Sequence, residues 1–264
     1  MNNLLQVIVL GVIEGITEFL PISSTGHLLI AEKLGLGARS ELFNIGIQAG
    51  AIVAVTVIYW RRLLTLATHI RERENLDYVL KLLVAFGITA VLGLLAKKLG
   101  FKLPETVTPV AWALIVGGFW ILAAERFAAR DANRTHIGWP AAILVGIAQI
   151  VAGIFPGTSR SGATIFAAMF AGTSDRKAAT EFAFLVGIPT MYAATGYALL
   201  KAWKASVGSE RFGDLGIGFV VSTITAFVAV KWLVRFIQTH SFNVFAYYRI
   251  ALGVALLLLL PSGA

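Results

Sequence analysis

Apolar residues fill six stretches, near 43–60, 79–96, 109–125, 181–200, 216–234 and 245–260, parted by short loops rich in Arg, Lys, Asp and Gly. Each approaches the ~20 residues with which a helix crosses a hydrocarbon core of ~30 Å, so each predicts a membrane span. Two further apolar segments, 4–35 and 140–172, are interrupted by Pro and a Ser/Thr/Gly cluster, and a second short apolar helix is expected after each interruption. Non-helical backbone at membrane depth survives only where protein buries it or where it lines a cavity. Both segments are therefore read as re-entrant helix-loop-helix elements.

The two broken segments are copies of one another. GVIEGITEFLPISSTGH at 11–27 returns in altered form as GIAQIVAGIFPGTSRSG at 146–162. The likeness continues: Phe43, Gly46 and Ile47 align with Phe184, Gly187 and Ile188, Ile88-Thr89-Ala90 with Ile224-Thr225-Ala226, and Gly117 with Gly253. The chain reads as a single membrane domain, 1–264, with an internal repeat of 1–130 and 136–264. One re-entrant element plus three spans per half is an odd number of crossings, which forces the second half into the opposite orientation. The fold class expected is an all-α polytopic integral membrane protein with an inverted-topology repeat.

Composition agrees: 58% of the 264 residues are hydrophobic and the mean hydropathy is +0.81, too apolar for a soluble core to cover itself with polar surface. Residues 1–10 hold no Lys or Arg, and Glu14 and Glu18 break the apolar run that follows, so the first segment is expected to stay in the mature protein. The net charge of +8 does not point to nucleic acid, because most basic residues flank spans, where the positive-inside rule and anionic lipid account for them. With loop 61–78 inside, Arg61, Arg62, Arg71, Arg73, Lys81, Arg126, Arg130, Arg134, Arg176, Lys177, Lys231 and Arg235 are cytoplasmic. Lys33, Arg39, Lys97, Lys98, Lys102, Lys201, Lys204 and Arg211 fall outside. Twelve against eight is a shallow preference for this orientation. The absence of cysteine excludes disulfides and thiolate metal sites.

Chemistry is concentrated at the interruptions. Glu14 and Glu18 are four residues apart and share a helix face with Gly11 and Gly15, whose small size admits a neighbouring helix. Carboxylates within apolar sequence are costly and mark function by default. This pair suits a hard divalent cation, general acid–base work, or interhelical hydrogen bonding. Ser23-Ser24-Thr25-Gly26-His27 looks like the cap and first turn of a new helix, where free N–H groups and hydroxyls favour an anion. His27 adds a group able to donate to a phosphoryl oxygen, shuttle a proton or attack phosphorus.

In the second copy, Gly157 and Gly162 permit tight turns, Ser159 and Ser161 supply hydroxyls, and Arg160 supplies a planar fork of donors matched to phosphate, with Glu14 and Glu18 as its alternative partners. Gln149 and Gly153 stand where the first copy has Glu14 and Glu18, so the halves read as an acidic half and a phosphate-binding half. Gln48 is a candidate pocket residue or interhelical glue. Glu181 reads as a helix-end carboxylate, His69, His136 and His240 as solvated, and Trp60, Trp112 and Trp232 as interfacial anchors. No Walker loop, dinucleotide fingerprint or HExxH is present.

At EGITEFLPISSTGH (14–27) and PGTSRSGAT (156–164) the sequence resembles the bacitracin-resistance family of undecaprenyl-diphosphate phosphatases, and the likeness spans essentially the whole chain. The resemblance implies hydrolysis of undecaprenyl diphosphate to undecaprenyl phosphate and phosphate, which recycles the lipid carrier of peptidoglycan synthesis. It further implies a divalent cation, a bacterial inner-membrane location, a site facing the periplasm, and an inverted repeat with paired re-entrant helices. Matched by position, Glu14 and Glu18 form the acidic motif, Ser23, Ser24, Thr25 and His27 the Ser/Thr/His loop, and Ser159, Arg160 and Ser161 the second motif.

On this reading the prenyl tail lies in lipid while the diphosphate enters between the broken segments. Gly157, Ser159, Arg160 and Ser161, with Ser23, Thr25 and Gln48, hold phosphoryl oxygens. Mg²⁺ or Ca²⁺ on Glu14 and Glu18 neutralises charge. Attack by Ser24 with His27 as acid–base partner is favoured over attack by His27 or by water. The rival class is a polyprenyl-phosphate flippase, since broken helices in inverted repeats are also transporter architecture; the carboxylates in one half and the arginine in the other favour chemistry. Membrane lipids are expected partners, nucleic acid is not, and a homodimer is left open.

Overall fold

The computed structural model describes residues 3–37, 39–100, 106–129, 134–204 and 212–259, with the side chains of 202–204 set aside. Lys102, Arg130 and Arg211, the side chain of Lys204, Leu260 at the end of the sixth expected span, and residues 1 and 264 at the limits of the repeat lie outside the described set. Among the described residues all regular structure is helical: α1 (Asn3–Thr17), α2 (Ser24–Ala31), α3 (Glu41–Ile58), α4 (Trp60–Thr68), α5 (Arg73–Lys98), α6 (Val107–Ala128), α7 (Trp139–Ile154), α8 (Arg160–Ala171), α9 (Arg176–Lys204), α10 (Phe212–Phe236) and α11 (Asn243–Leu259), with a π turn at Glu32–Leu36 after α2.

Five of these, α3, α5, α6, α9 and α10, are long and apolar enough to cross a membrane. The sixth expected span is α11, which has 17 described residues. Segment 61–78, expected as a polar loop, holds α4 and the first turn of α5; backbone hydrogen bonding carries a helix past the apolar window that reveals it. The outer faces are apolar: Leu83, Val91, Val116, Val220, Ile224 and Val228 are exposed, as expected where lipid rather than water is the solvent. His69, His136 and His240 are exposed. Glu181 pairs with Arg62 at 3.0 Å, at the end of the molecule where α4, α5 and α9 meet.

Both interruptions are present. α1 ends four residues before Pro21 and α7 ends two residues before Pro156, because a residue preceding Pro is pushed out of the helical region and Pro itself donates no hydrogen bond. Each helix restarts on a serine. Ser23 accepts from the backbone N–H of Gly26, and Ser159 from that of Gly162. These are the only two non-glycine residues at positive φ among the described residues, at 76° and 69°. Such conformations cost about 1–3 kcal/mol each and persist where surrounding structure over-determines them.

The halves interlock. α1 packs on α10, and α7 packs on α5, so each broken segment leans on a long helix from the other part of the chain; α6 packs on α11, and α3 on α9 and α10. Lipid is as apolar as a leucine, so close approach rather than water exclusion holds such helices together. A Cβ at Gly15 would lie 2.6 Å from the carbonyl oxygen of Ser222, and one at Gly146 would lie 2.7 Å from that of Ala85. The small-residue stripe of Gly11 and Gly15 thus meets a backbone. At the second crossing Thr89 donates to the carbonyl of Gly146 at 3.0 Å.

Candidate active site

Where the two interruptions meet, side chains from both copies converge. The helical hydrogen bond from the Glu18 amide to the Glu14 carbonyl puts the two carboxylates one turn apart, both buried. Ser24 Oγ donates to Glu18 Oε2 at 2.5 Å, and Arg160 Nη2 lies 3.9 Å from Glu18 Oε1. Glu18 therefore faces a hydroxyl from its own loop on one oxygen and the guanidinium of the other loop on its second. Glu14 Oε2 is buried with no hydrogen-bond partner. Arg160, Glu18, Gln149, Ser161 and Thr164 line a small cavity together with Phe19 and with Phe184 and Met191 of α9.

Several predicted residues also make contacts that shape the loops. Ser161 Oγ lies 3.2 Å from the Glu18 carbonyl and 3.1 Å from that of Leu20, stitching the second loop to the first. Ser23 and Ser159 use their hydroxyl oxygens as helix caps. Gly157 has φ +94°, and its carbonyl accepts from Arg249. Thr25 is exposed. Gln48 is not among the residues that line the cavity.

His27 is held differently from the expected pairing with Ser24. Its Nδ1 is 2.7 Å from the carbonyl of Ser23, which can only accept, so Nδ1 carries the proton. Nε2 is then the acceptor for the hydroxyl of Tyr248 at 2.6 Å. The proton of Ser24 points at Glu18 instead.

Tyr248 and Arg249 on α11 went unnoticed in the sequence, although Arg249 carried a signal: a lone arginine inside the apolar stretch 245–260. Tyr248 had none, since an aromatic in a span reads as packing. Gln149, noted only as a replacement for Glu14, lines the cavity and donates to Thr89 Oγ1 at 2.9 Å.

A multi-pass helical membrane protein whose two interrupted helices bring a buried carboxylate, serine hydroxyls and an arginine together is the class these features define. The chain belongs to the family of the bacitracin resistance protein BacA, whose model matches residues 7–255. It is 66% identical over 255 residues to an undecaprenyl-diphosphatase of Rhizobium etli, covering 96% of each chain. It is 61% identical to an undecaprenyl-diphosphatase of Stenotrophomonas maltophilia over the full length of both chains, and 58% identical to one from Xanthomonas oryzae, again over the full length.

Proposed function

We propose that the protein is an undecaprenyl-diphosphate phosphatase, a hydrolase that releases phosphate from undecaprenyl diphosphate, returns undecaprenyl phosphate for peptidoglycan synthesis, and thereby confers resistance to bacitracin. Membership of the BacA family and full-length relatives of that name support the activity. One observation carries the chemistry: Ser24, Glu18 and Arg160, drawn from two distant motifs, stand in a single line of contact.

In the reading this geometry supports, Arg160 draws the terminal phosphoryl group into the cavity, offering a fork of donors in a site shielded from water. Ser24 Oγ attacks phosphorus while its proton passes to Glu18 Oε2. The bond between phosphorus and the bridging oxygen breaks, and undecaprenyl phosphate leaves with that electron pair. Water then hydrolyses the phosphoserine, freeing phosphate and restoring Ser24. His27 is held by Ser23 and Tyr248 beside the loop that carries Ser24, so we assign it a positioning role there rather than that of base for Ser24.

A divalent cation fits this donor set. Glu14 keeps a buried oxygen without a partner. Among the described residues no group of three or more His, Cys, Asp or Glu gathers, so Glu14 and Glu18 would hold Mg²⁺ or Ca²⁺ with phosphate and water completing the shell, as these ions accept. Its chemistry would be to neutralise charge building on the phosphoryl oxygens.

The reciprocal packing of α1 on α10 and α7 on α5 supports an inverted-topology repeat with re-entrant corners. The basic residues at the α4–α5 end support a cytoplasmic placement there, and hence an active site opening toward the periplasmic face of a bacterial inner membrane. An apolar groove between α6, α7 and α8, whose inner end reaches Thr158 and Gly162, offers the prenyl tail a lateral path to the corner.

The test is phosphate release from undecaprenyl diphosphate by purified protein in detergent, with and without Mg²⁺ or Ca²⁺. Metal-dependent release lost in Glu18→Ala and Arg160→Ala is expected; no release from folded wild type would overturn the reading. Acid-quenched turnover should yield phosphoserine at Ser24, and phosphohistidine would replace Ser24 with His27 as nucleophile.

A further inference from the structure

Arg249 is 1% exposed, and among the described residues it makes no ion pair. Its guanidinium is satisfied wholly by backbone carbonyls: Nη1 donates to Pro21 at 3.1 Å, Nη2 to Gly157 at 2.9 Å, Thr158 at 3.0 Å and Ala113 at 3.0 Å, and Nε to Leu114 at 3.3 Å. Three of those carbonyls, of Pro21, Gly157 and Thr158, belong to the two interruptions, where chain breaks leave acceptors without helical partners. Unmatched carbonyls in an apolar interior are costly, and only arginine offers enough donors in one plane to serve two corners at once.

The placement is asymmetric in an informative way. Gly253 aligns with Gly117, which sets Arg249 against Ala113 in the first copy, so a single arginine from one half serves both interruptions. Room for it is made by Gly117, where a Cβ would fall 2.0 Å from Nη2. Ser23 and Ser24 follow Pro21 after one residue, Ile22, and Ser159 and Arg160 follow Thr158 directly.

We propose that Arg249 is a positioning residue: by clamping the carbonyls of both corners it sets the distance between the Ser24–Glu18 pair and Arg160, and so the productive geometry of phosphoryl transfer. Ser161 makes the neutral half of the same splice. The inference rests on the phosphatase reading for its kinetic consequence, and on the hydrogen bonds alone for its structural one.

Arg249→Lys keeps the charge and loses the fork. Because a misplacement of about 1 Å can cost ~10²-fold in rate, its kcat for undecaprenyl diphosphate should fall by about that factor. KM should stay within about threefold, since Arg160 still binds the phosphate. A role confined to stability would lower Tm and leave the kcat of folded enzyme intact, and that outcome would overturn the proposal. Should the lysine variant fail to fold, Gly117→Ala, which displaces the guanidinium without removing it, should show the same split.

A second readout does not depend on turnover. The chain has no cysteine, so spin labels on Leu29→Cys and Phe155→Cys report the spacing between α2, which follows the first corner, and the second corner. The distance distribution should broaden when Arg249→Lys is added; an unchanged distribution rejects the clamp even if the wild type releases no phosphate, a result that would reject the phosphatase reading alone.

Discussion

Ser24 shows how one side chain takes its meaning from its neighbours. In isolation a serine hydroxyl is a poor nucleophile; here it donates to a buried carboxylate that faces an arginine, and under the proposed mechanism that pairing activates the oxygen for attack on phosphorus. Ser24→Ala should therefore reduce kcat at least ~10³-fold while leaving the fold intact, measured as phosphate release from monodisperse protein. Tyr248→Phe removes the donor to His27 Nε2 but keeps the ring, so a loss of only about 3- to 10-fold is expected, far smaller than for His27→Ala. Glu14→Gln should chiefly raise the concentration of Mg²⁺ or Ca²⁺ needed for half-maximal rate, because it neutralises a carboxylate whose buried Oε2 has no hydrogen-bond partner. An unchanged metal titration would remove Glu14 from the cation site. Glu14, Glu18, Ser24, His27 and Arg160 stand out in the sequence as candidates, since polar groups in apolar surroundings are conspicuous. That Ser24 would turn to Glu18 rather than to His27 is not legible there, because both lie within a few residues of it and spacing alone cannot rank them.

Single helices depend on details that hydropathy does not register. The caps Ser23 and Ser159 hold positive φ, so Ser159→Gly relieves strain as it loses the capping oxygen, whereas Ser159→Ala keeps the strain and loses the cap. The alanine variant should unfold at the lower temperature, with the gap worth about 1–2 kcal/mol. The crossing of α1 on α10 has no slack: Gly15→Ala places a methyl against the Ser222 carbonyl, and destabilisation of about 1–3 kcal/mol is expected in thermal melts in detergent. The prolines in the sequence mark where both helices break, but neither α4 nor the partners of the Gly11–Gly15 stripe are evident from it. Amphipathic α4 is too polar to register as a span, and which helix fills a small-residue stripe is a matter of distant sequence.

At the scale of the molecule, two ties hold the bundle's ends and centre. Arg249 joins the corners, and Glu125 joins three helices at the opposite end, accepting from Arg176 of α9 at 2.8 and 2.5 Å and from the amide of Phe242, just before α11, at 2.7 Å. Glu125→Ala leaves that buried amide and the guanidinium without an acceptor, and should lower Tm by roughly 5 °C or more. The proposed inverted arrangement makes a topological prediction as well. Single cysteines at His69 and at Gly37 should be labelled by impermeant reagents from opposite faces of the membrane, His69 from the cytoplasm; labelling of both from one face would refute the orientation.

The sequence by itself determined the class of the protein and the chemistry it carries. Hydropathy is a local property of twenty residues, and a buried charge announces itself wherever it stands. Tertiary structure alone decided which groups touch. The use of Ser161 as a splice and the service of Arg249 to both corners arise from segments up to 228 positions apart. Their encounter is set by how the helices interlock, which no local pattern encodes.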